Sequence, residues 1–287
     1  MDRPTILLTG ADGQVGFELQ RLLAASGEIV STDRRTLDLS DPDAIVAVVR
    51  RVKPALIVNA AAYTAVDRAE TEPDLARAIN AHAPRILAEE AKRSSAVLVH
   101  YSTDYVFDGK RTTPYPEEAP TAPLNVYGST KLEGEQAIAA TGARAIVLRT
   151  SWVYGLRGKN FLLTMRRLAA EREVLSVVAD QIGVPNWSRT LADATGRIVA
   201  AGLPSLAERS GLYHLSCTGQ ASWYDFARAI LGDGPTPRIN AIATADYPTP
   251  ARRPAYGVLA TSRFESTFGF ALPHWRDALA ECLASPG

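Results

Sequence analysis

The chain has 287 residues, 46% hydrophobic and 22% charged, which is enough for one or two domains with a real core. Its 31 basic and 31 acidic residues cancel, which argues against a nucleic-acid partner. No run approaches the roughly 18 apolar residues that span a bilayer.

The start, Met1 to Leu8, has too short an apolar run for a signal peptide. Cys217 and Cys282 cannot form a disulfide framework and suit a reducing, cytoplasmic setting. His82, His100, His214 and His274 are scattered without zinc-ligand spacing, so no metal is expected.

In chain order, Pro4 to Thr9 reads as a strand and Gln14 to Ala25 as a helix. The turn between them is Thr9-Gly10-Ala11-Asp12-Gly13-Gln14-Val15-Gly16. Its glycines suit a dinucleotide: Gly10 for the tight turn, Gly13 for close approach of a pyrophosphate, Gly16 for helix–strand packing. The helix N-terminus offers free N–H groups to the phosphates.

A second strand, Glu28 to Asp33, ends on an acid placed to meet the adenosine ribose. Arg34 and Arg35 follow at once and suit a 2′-phosphate instead, so NADH and NADPH both remain open. A helix over Pro42 to Arg51 starts with Asp41 as N-cap and Pro at its first position. A strand over Ala55 to Asn59 and a helix over Pro73 to Arg93 come next. Asn59 is either a turn former or part of a cofactor wall.

A fourth strand, Ala96 to Ser102, leads into Thr103 and Asp104 at the carboxyl edge, where α/β sheets bind ligands. The loop Asp108 to Asn125 carries four prolines and is long enough to suggest function. Tyr127-Gly128-Ser129-Thr130-Lys131 then opens a helix over Tyr127 to Ala140. Spacing of four puts Tyr127 and Lys131 on one face, where an ammonium lowers a tyrosine pKa from about 10 and fits it for proton transfer to a carbonyl. The Thr103 hydroxyl suits the substrate oxygen. A fifth strand spans Ala143 to Arg149.

This alternation predicts right-handed βαβ units, an α/β fold with a Rossmann-type doubly wound parallel sheet. Beyond residue 150 the pattern is irregular: helices over Asn160 to Arg172 and Ser222 to Leu231, a strand over Gly211 to Ser216, and a five-proline tract, Gly232 to Pro254, read as loop. The Arg166-Arg167 pair reads as a solvated helix face. The expected organisation is a dinucleotide domain over 1–150, joined by about 175–205, with about 151–174 and 206–287 as a smaller, partly interwoven α/β substrate lobe.

The glycine turn, Thr103 and Tyr127/Lys131 together resemble the extended short-chain dehydrogenase/reductase superfamily. The segments 59–67, 102–109, 123–128, 149–155, 211–214 and 253–254 closely resemble the dTDP-4-dehydrorhamnose reductase family over nearly the whole chain. That resemblance implies reduction of a nucleotide-linked 4-keto sugar by NADPH or NADH, with Tyr127 as proton donor, Lys131 as its tuner and ribose ligand, and Thr103 as carbonyl partner. It further implies Gly13, Gln14 and Val15 at the pyrophosphate, Asp33, Asp38 and Leu39 around the adenosine, and Ala62, Tyr63, Thr64 and Tyr101 beside the nicotinamide. Thr103, Asp104 and Trp152 would hold the nucleotide-sugar, with Trp152 covering the sugar from the fifth strand's end.

Two departures stand out: Asn186 where Thr is usual, and Gly257 where Ser is commoner. The competing readings are another ketoreductase or epimerase of this superfamily and a non-catalytic regulator like that of methionine adenosyltransferase. A dehydratase would need a second carboxylate after Asp104, and Tyr105 stands there. The partners expected are a small nucleotide-sugar and, as one option, a second copy in a homodimer.

Overall fold

Short apolar runs rich in β-branched residues and leucine become buried strands, and amphipathic stretches between them become the covering helices. The computed structural model describes residues 3–285 except 233, 235 and 236. Met1 and Asp2 of the opening run, and those three residues of the proline tract, lie outside the described residues. The first half runs β1 (Thr5–Thr9), α1 (Gln14–Leu23), β2 (Glu28–Thr32), α2 (Pro42–Val52), β3 (Leu56–Asn59), α3 (Val66–Ala69), α4 (Pro73–Arg77), α5 (Ala83–Ser94), β4 (Val97–Thr103), α6 (Val126–Thr141) and β5 (Ala145–Thr150).

The second half runs β6 (Val153–Tyr154), α7 (Phe161–Glu171), β7 (Val174–Val178), β8 (Ile182–Gly183), β9 (Asn186–Trp187), α8 (Ser188–Ala200), α9 (Leu203–Glu208), β10 (Gly211–His214), β11 (Ala221–Ser222), α10 (Trp223–Leu231), β12 (Arg238–Ile242), α11 (Ser262–Phe268) and α12 (Trp275–Ala284).

Six strands form one parallel sheet in the order β10-β5-β4-β3-β1-β2. The chain reverses direction across the sheet between β1 and β3, so their carboxyl ends diverge into a crevice. Alternate residues feed opposite faces: Ile6, Leu8, Leu56, Val58, Val97 and Val99 pack on one side, Leu7, Ile57 and Leu98 on the other. A third cluster, Val106, Phe107, Tyr115, Ala119 and Leu259, sits beneath the proline loop and stiffens it.

Two expectations need correction. The helix over Pro73 to Arg93 is interrupted by a π-helical turn, Ala78–His82. Pro84 has no N–H to give the Asn80 carbonyl, so the ladder widens there. The tract Gly232 to Pro254 is not all loop, because β12 pairs in parallel with β7. Its prolines flank residues 238–247, leaving a proline-free window whose N–H groups can all pair.

Candidate active site

The turn between β1 and α1 is shaped by close contacts. Gly10 has φ +73°, and a Cβ there would sit 2.7 Å from the Ala61 nitrogen. Gly13 is the N-cap of α1 and offers no side-chain acceptor, so the first-turn N–H groups remain available to an anion. This cradle fits a pyrophosphate, with Val15 half-buried against the core. The Gln14 side chain turns elsewhere, accepting from Asn160 Nδ2 at 2.9 Å and donating to the Val153 carbonyl at 3.4 Å.

Beside the turn lies a cavity of about 270 Å³ lined by Ala11, Asp12, Phe17, Gln20, Thr32, Asp33 and others. The Asp33 carboxylate faces it but is already engaged: Oδ1 accepts from Arg35 N and Thr36 N, and Oδ2 from Arg35 Nη2 at 3.1 Å. Arg35 and Thr36 hold its pKa below the usual range. Asp38 is exposed and accepts from Ser40, while Leu39 is 8% exposed and packs into the core. The structure therefore does not bring Asp38 or Leu39 into the lining of this cavity.

Ala62, Tyr63 and Thr64 form the chain leaving β3, and Asn80 of the π turn fixes them. Its Oδ1 accepts from Tyr63 N at 2.8 Å, and its Nδ2 donates to Tyr63 O at 3.1 Å and Thr130 Oγ1 at 3.2 Å. The Tyr63 hydroxyl donates to Glu72 Oε2 at 2.5 Å.

Thr103 ends β4, and its Oγ1 accepts from Tyr105 N at 3.1 Å and donates to Asp104 Oδ1 at 3.2 Å, close to the Tyr127 phenol. Helix α6 is set by Asn125, whose Oδ1 accepts from Gly128 N at 2.8 Å. A Cβ on Gly128 would lie 2.2 Å from the Tyr105 carbonyl, so only glycine lets this helix turn approach so closely.

One turn further, the buried Lys131 donates to the Tyr101 carbonyl at 2.6 Å and meets His100 Nε2 at 3.2 Å. Tyr101 thus offers its carbonyl; its hydroxyl contacts Thr195 of α8 at 2.5 Å, across the pleat. Thr103 lies beside Tyr127, whereas Lys131 Nζ is turned to His100 and the Tyr101 carbonyl of β4.

Their electrostatics differ from expectation. Burial pushes the Tyr127 pKa up to about 12, the Thr103 hydrogen bond lowers it, and the nearby Asp104 raises it. Lys131 is itself pushed down to about 8 by burial, opposed by Glu135. In this structure burial dominates at Tyr127, and the phenol is not tuned downward. Asp104 is 2% exposed, its Oδ2 has no partner, and burial lifts its pKa to about 7. A Cβ on Gly257 would lie 2.4 Å from that oxygen, so the departure at 257 makes room for the carboxyl.

Trp152 emerges from β5 half-buried and strained, at φ 42°. Its indole stacks on Trp223 at 3.5 Å and 7°, and Trp223 Nε1 donates to Gln181 Oε1. Gly183 sits against the same ring, because a Cβ there would be 2.5 Å from it. One indole face is therefore taken by Trp223, which restricts what Trp152 can offer a ligand.

The other departure, Asn186, is a buried hub. It donates to Ser151 O at 2.8 Å and accepts from Cys217 N at 2.6 Å. Arg253 pairs with Asp67 at 2.8 Å and so ties the C-terminal segment to α3. Sequence reasoning missed His100, Asn80 and Trp223. The first two carry a readable signal, a polar residue within a buried apolar element.

The RmlD substrate binding domain family matches residues 4–286. A dTDP-4-dehydrorhamnose reductase of Burkholderia thailandensis is 47% identical and covers 97% of both chains. Another from Escherichia coli K12 is 44% identical over 94% of both. The crystal structure of a dTDP-4-dehydrorhamnose reductase from Bacillus anthracis in complex with NADP superimposes with a TM-score of 0.89, at 36% identity and 99% coverage of both.

Proposed function

The chain belongs to the RmlD substrate binding domain family, and on that premise we propose how its residues carry out the family's reaction. It is an oxidoreductase that uses NADPH or NADH to reduce the C4 keto group of dTDP-4-dehydro-L-rhamnose to dTDP-L-rhamnose, the last step of dTDP-rhamnose synthesis. The bound cofactor supplies the hydride.

The observation that supports the site assignment is that Thr103 lies beside Tyr127 at the carboxyl end of β4, while Lys131 of the same helix reaches the Tyr101 carbonyl on that strand. Thr103 holds the substrate oxygen, and Tyr127 Oη gives its proton to the alkoxide that develops there. Lys131, as an ammonium, stabilises the phenolate left behind. Asp104 accepts from the sugar, and Trp152 covers one side of it with the indole surface that Trp223 leaves free.

Gly10, Gly13, Gln14, Val15 and Gly16 surround the pyrophosphate, Gln14 through its backbone. Asp33 and Arg34 meet the adenosine ribose, with Asp38 and Leu39 behind. Ala62, Tyr63, Thr64 and the Tyr101 backbone border the nicotinamide.

In this reading residues 1–150 and about 175–205 carry the dinucleotide, and about 151–174 and 206–287 face the nucleotide-sugar. Among the described residues no helix is long and apolar enough to cross a membrane. Cys217 and Cys282 are both free thiols, which supports a cytoplasmic location. Homodimer formation is checked by light scattering.

The deciding experiment follows NADPH oxidation against a panel of nucleotide-linked 4-keto-6-deoxy sugars. Turnover with dTDP-4-dehydro-L-rhamnose above the others is expected. Cofactor binding without turnover of any would leave a regulator.

A further inference from the structure

His100, between Val99 and Tyr101 on β4, is completely buried and is not part of the reaction described above. It is the middle of a chain of hydrogen bonds that has a fixed direction. The Ala61 backbone N–H can only donate, and it points at the Asn59 side chain, 3.2 Å from Oδ1. Thr9 Oγ1 approaches the same oxygen at 2.6 Å. The amide oxygen of Asn59 must therefore face Ala61, which leaves its NH₂ group 3.0 Å from His100 Nδ1.

An NH₂ group has no lone pair to give there, so Nδ1 is the acceptor. In a neutral imidazole the proton then sits on Nε2. Burial keeps His100 neutral. Its Nε2–H points at Lys131 Nζ, 3.2 Å away. An ammonium cannot accept that hydrogen, whereas an amine accepts it and still donates to the Tyr101 carbonyl.

The surrounding charges do not reverse this preference. Glu135, one turn along α6, is the charge that acts on Lys131, but Arg149 of β5 and Ser102 of β4 already bind its carboxylate. On the other elements packed against α6, Glu70 accepts from Val126 N, Arg77 pairs with Glu133, and Lys92 binds the Thr141 carbonyl. Asp104 lies beyond Tyr127, on the substrate side.

We propose that cofactor binding raises the proton affinity of Lys131, because the chain from Ala61 through Asn59 and His100 stabilises its amine and so weakens its hold on a proton in the cofactor-free protein. The proton comes from solvent and forms an N–H bond at Nζ, and no electron changes hands. The phosphates of the cofactor supply the negative potential that favours it. At and above about pH 8 Lys131 thus acquires its full charge when the site is filled, which is when a phenolate at Tyr127 has to be stabilised. His100 is a positioning residue that acts through Lys131.

The inference rests on the reading above for the cofactor's identity, and its test separates the two. First, ¹⁵N NMR of the cofactor-free protein reads the His100 tautomer directly, with a His100→Phe sample to assign the signal where it folds. The Nε2–H form is expected, and the Nδ1–H form overturns the inference. Second, calorimetry of NADPH binding in buffers of different ionisation enthalpy counts protons taken up.

With the Lys131 pKa pushed down to about 8, uptake should rise towards one proton per NADPH at about pH 9 and be small near pH 7. At the higher pH the Asp104 carboxyl, near 7, is already ionised. Asn59→Asp reverses the chain, since a carboxylate accepts from Nδ1–H and frees the Nε2 lone pair for an ammonium. Uptake in that variant should fall to less than half. NADPH binding with no proton uptake at about pH 9 overturns the inference alone, while failure to bind either NADPH or NADH overturns it together with the function proposed above.

Discussion

Asp104→Asn should make the protein more resistant to unfolding at alkaline pH, an unusual effect for a residue assigned to the substrate site. The carboxyl is 2% exposed, Oδ2 has no partner, and burial lifts its pKa from 3.8 to about 7. The folded pKa lies above the unfolded one. The stability of the neutral form is therefore fully present below about pH 3.8 and is lost as pH rises through about 7. Each pH unit inside that window is worth about 1.4 kcal/mol, so the wild type should lose about 2–3 kcal/mol between pH 5 and pH 8.5 that an asparagine does not lose.

Guanidinium unfolding of both proteins at the two pH values measures this, with equal m-values required for the comparison. The difference between them should move in favour of the variant by that amount. In the same variant the KM for the nucleotide-sugar should rise and the NADPH affinity should hold, since Asp104 lies on the substrate side. A stability difference that is the same at both pH values would refute the argument.

The remaining predictions come from the same site and its supports. Tyr127→Phe keeps the ring packed against Tyr105 at 5.5 Å but removes the acid, so kcat should fall on the order of 10²–10⁴-fold with little change in substrate binding. Arg149→Met strands the buried Glu135 carboxylate, and urea unfolding should show a loss of about 3–5 kcal/mol, largely recovered by adding Glu135→Leu. Trp152→Ala should lower kcat/KM for the nucleotide-sugar at least about tenfold while NADPH binding holds. A fully active folded fraction would mean Trp152 only packs. Asp33→Ala should weaken NADH more than NADPH, read from the two dissociation constants, because it removes a negative charge beside the 2′-phosphate.

What could be read from sequence is mostly what depends on neighbours along the chain. The Gly10–Gly16 turn, the four-residue spacing of Tyr127 and Lys131, and the apolar alternation of the strands are local backbone chemistry, and each appears where expected. Pro84 sits in the same class, yet its outcome does not. The missing N–H is visible in the sequence, but the choice of a π turn over a kink depends on α6, where a Cβ on Gly134 would lie 2.1 Å from the freed Asn80 carbonyl.

Trp152 shows the same limit. Its place after β5 was readable, but its stacking partner Trp223 is far along the chain and approaches only through tertiary packing. Asn59, His100 and Arg149 are polar residues in otherwise apolar strands, and a buried polar group without a partner costs about 1–3 kcal/mol. The sequence therefore shows that each must have a partner without saying which. The partners, His100 for Asn59 and Glu135 for Arg149, are set by strand register and helix packing. Hydrogen-bond direction adds a further step, because it follows from Ala61, a residue with no polar side chain. A buried network of this kind is best read outward from the backbone N–H that cannot change its role, and here that reading ends at the charge of Lys131.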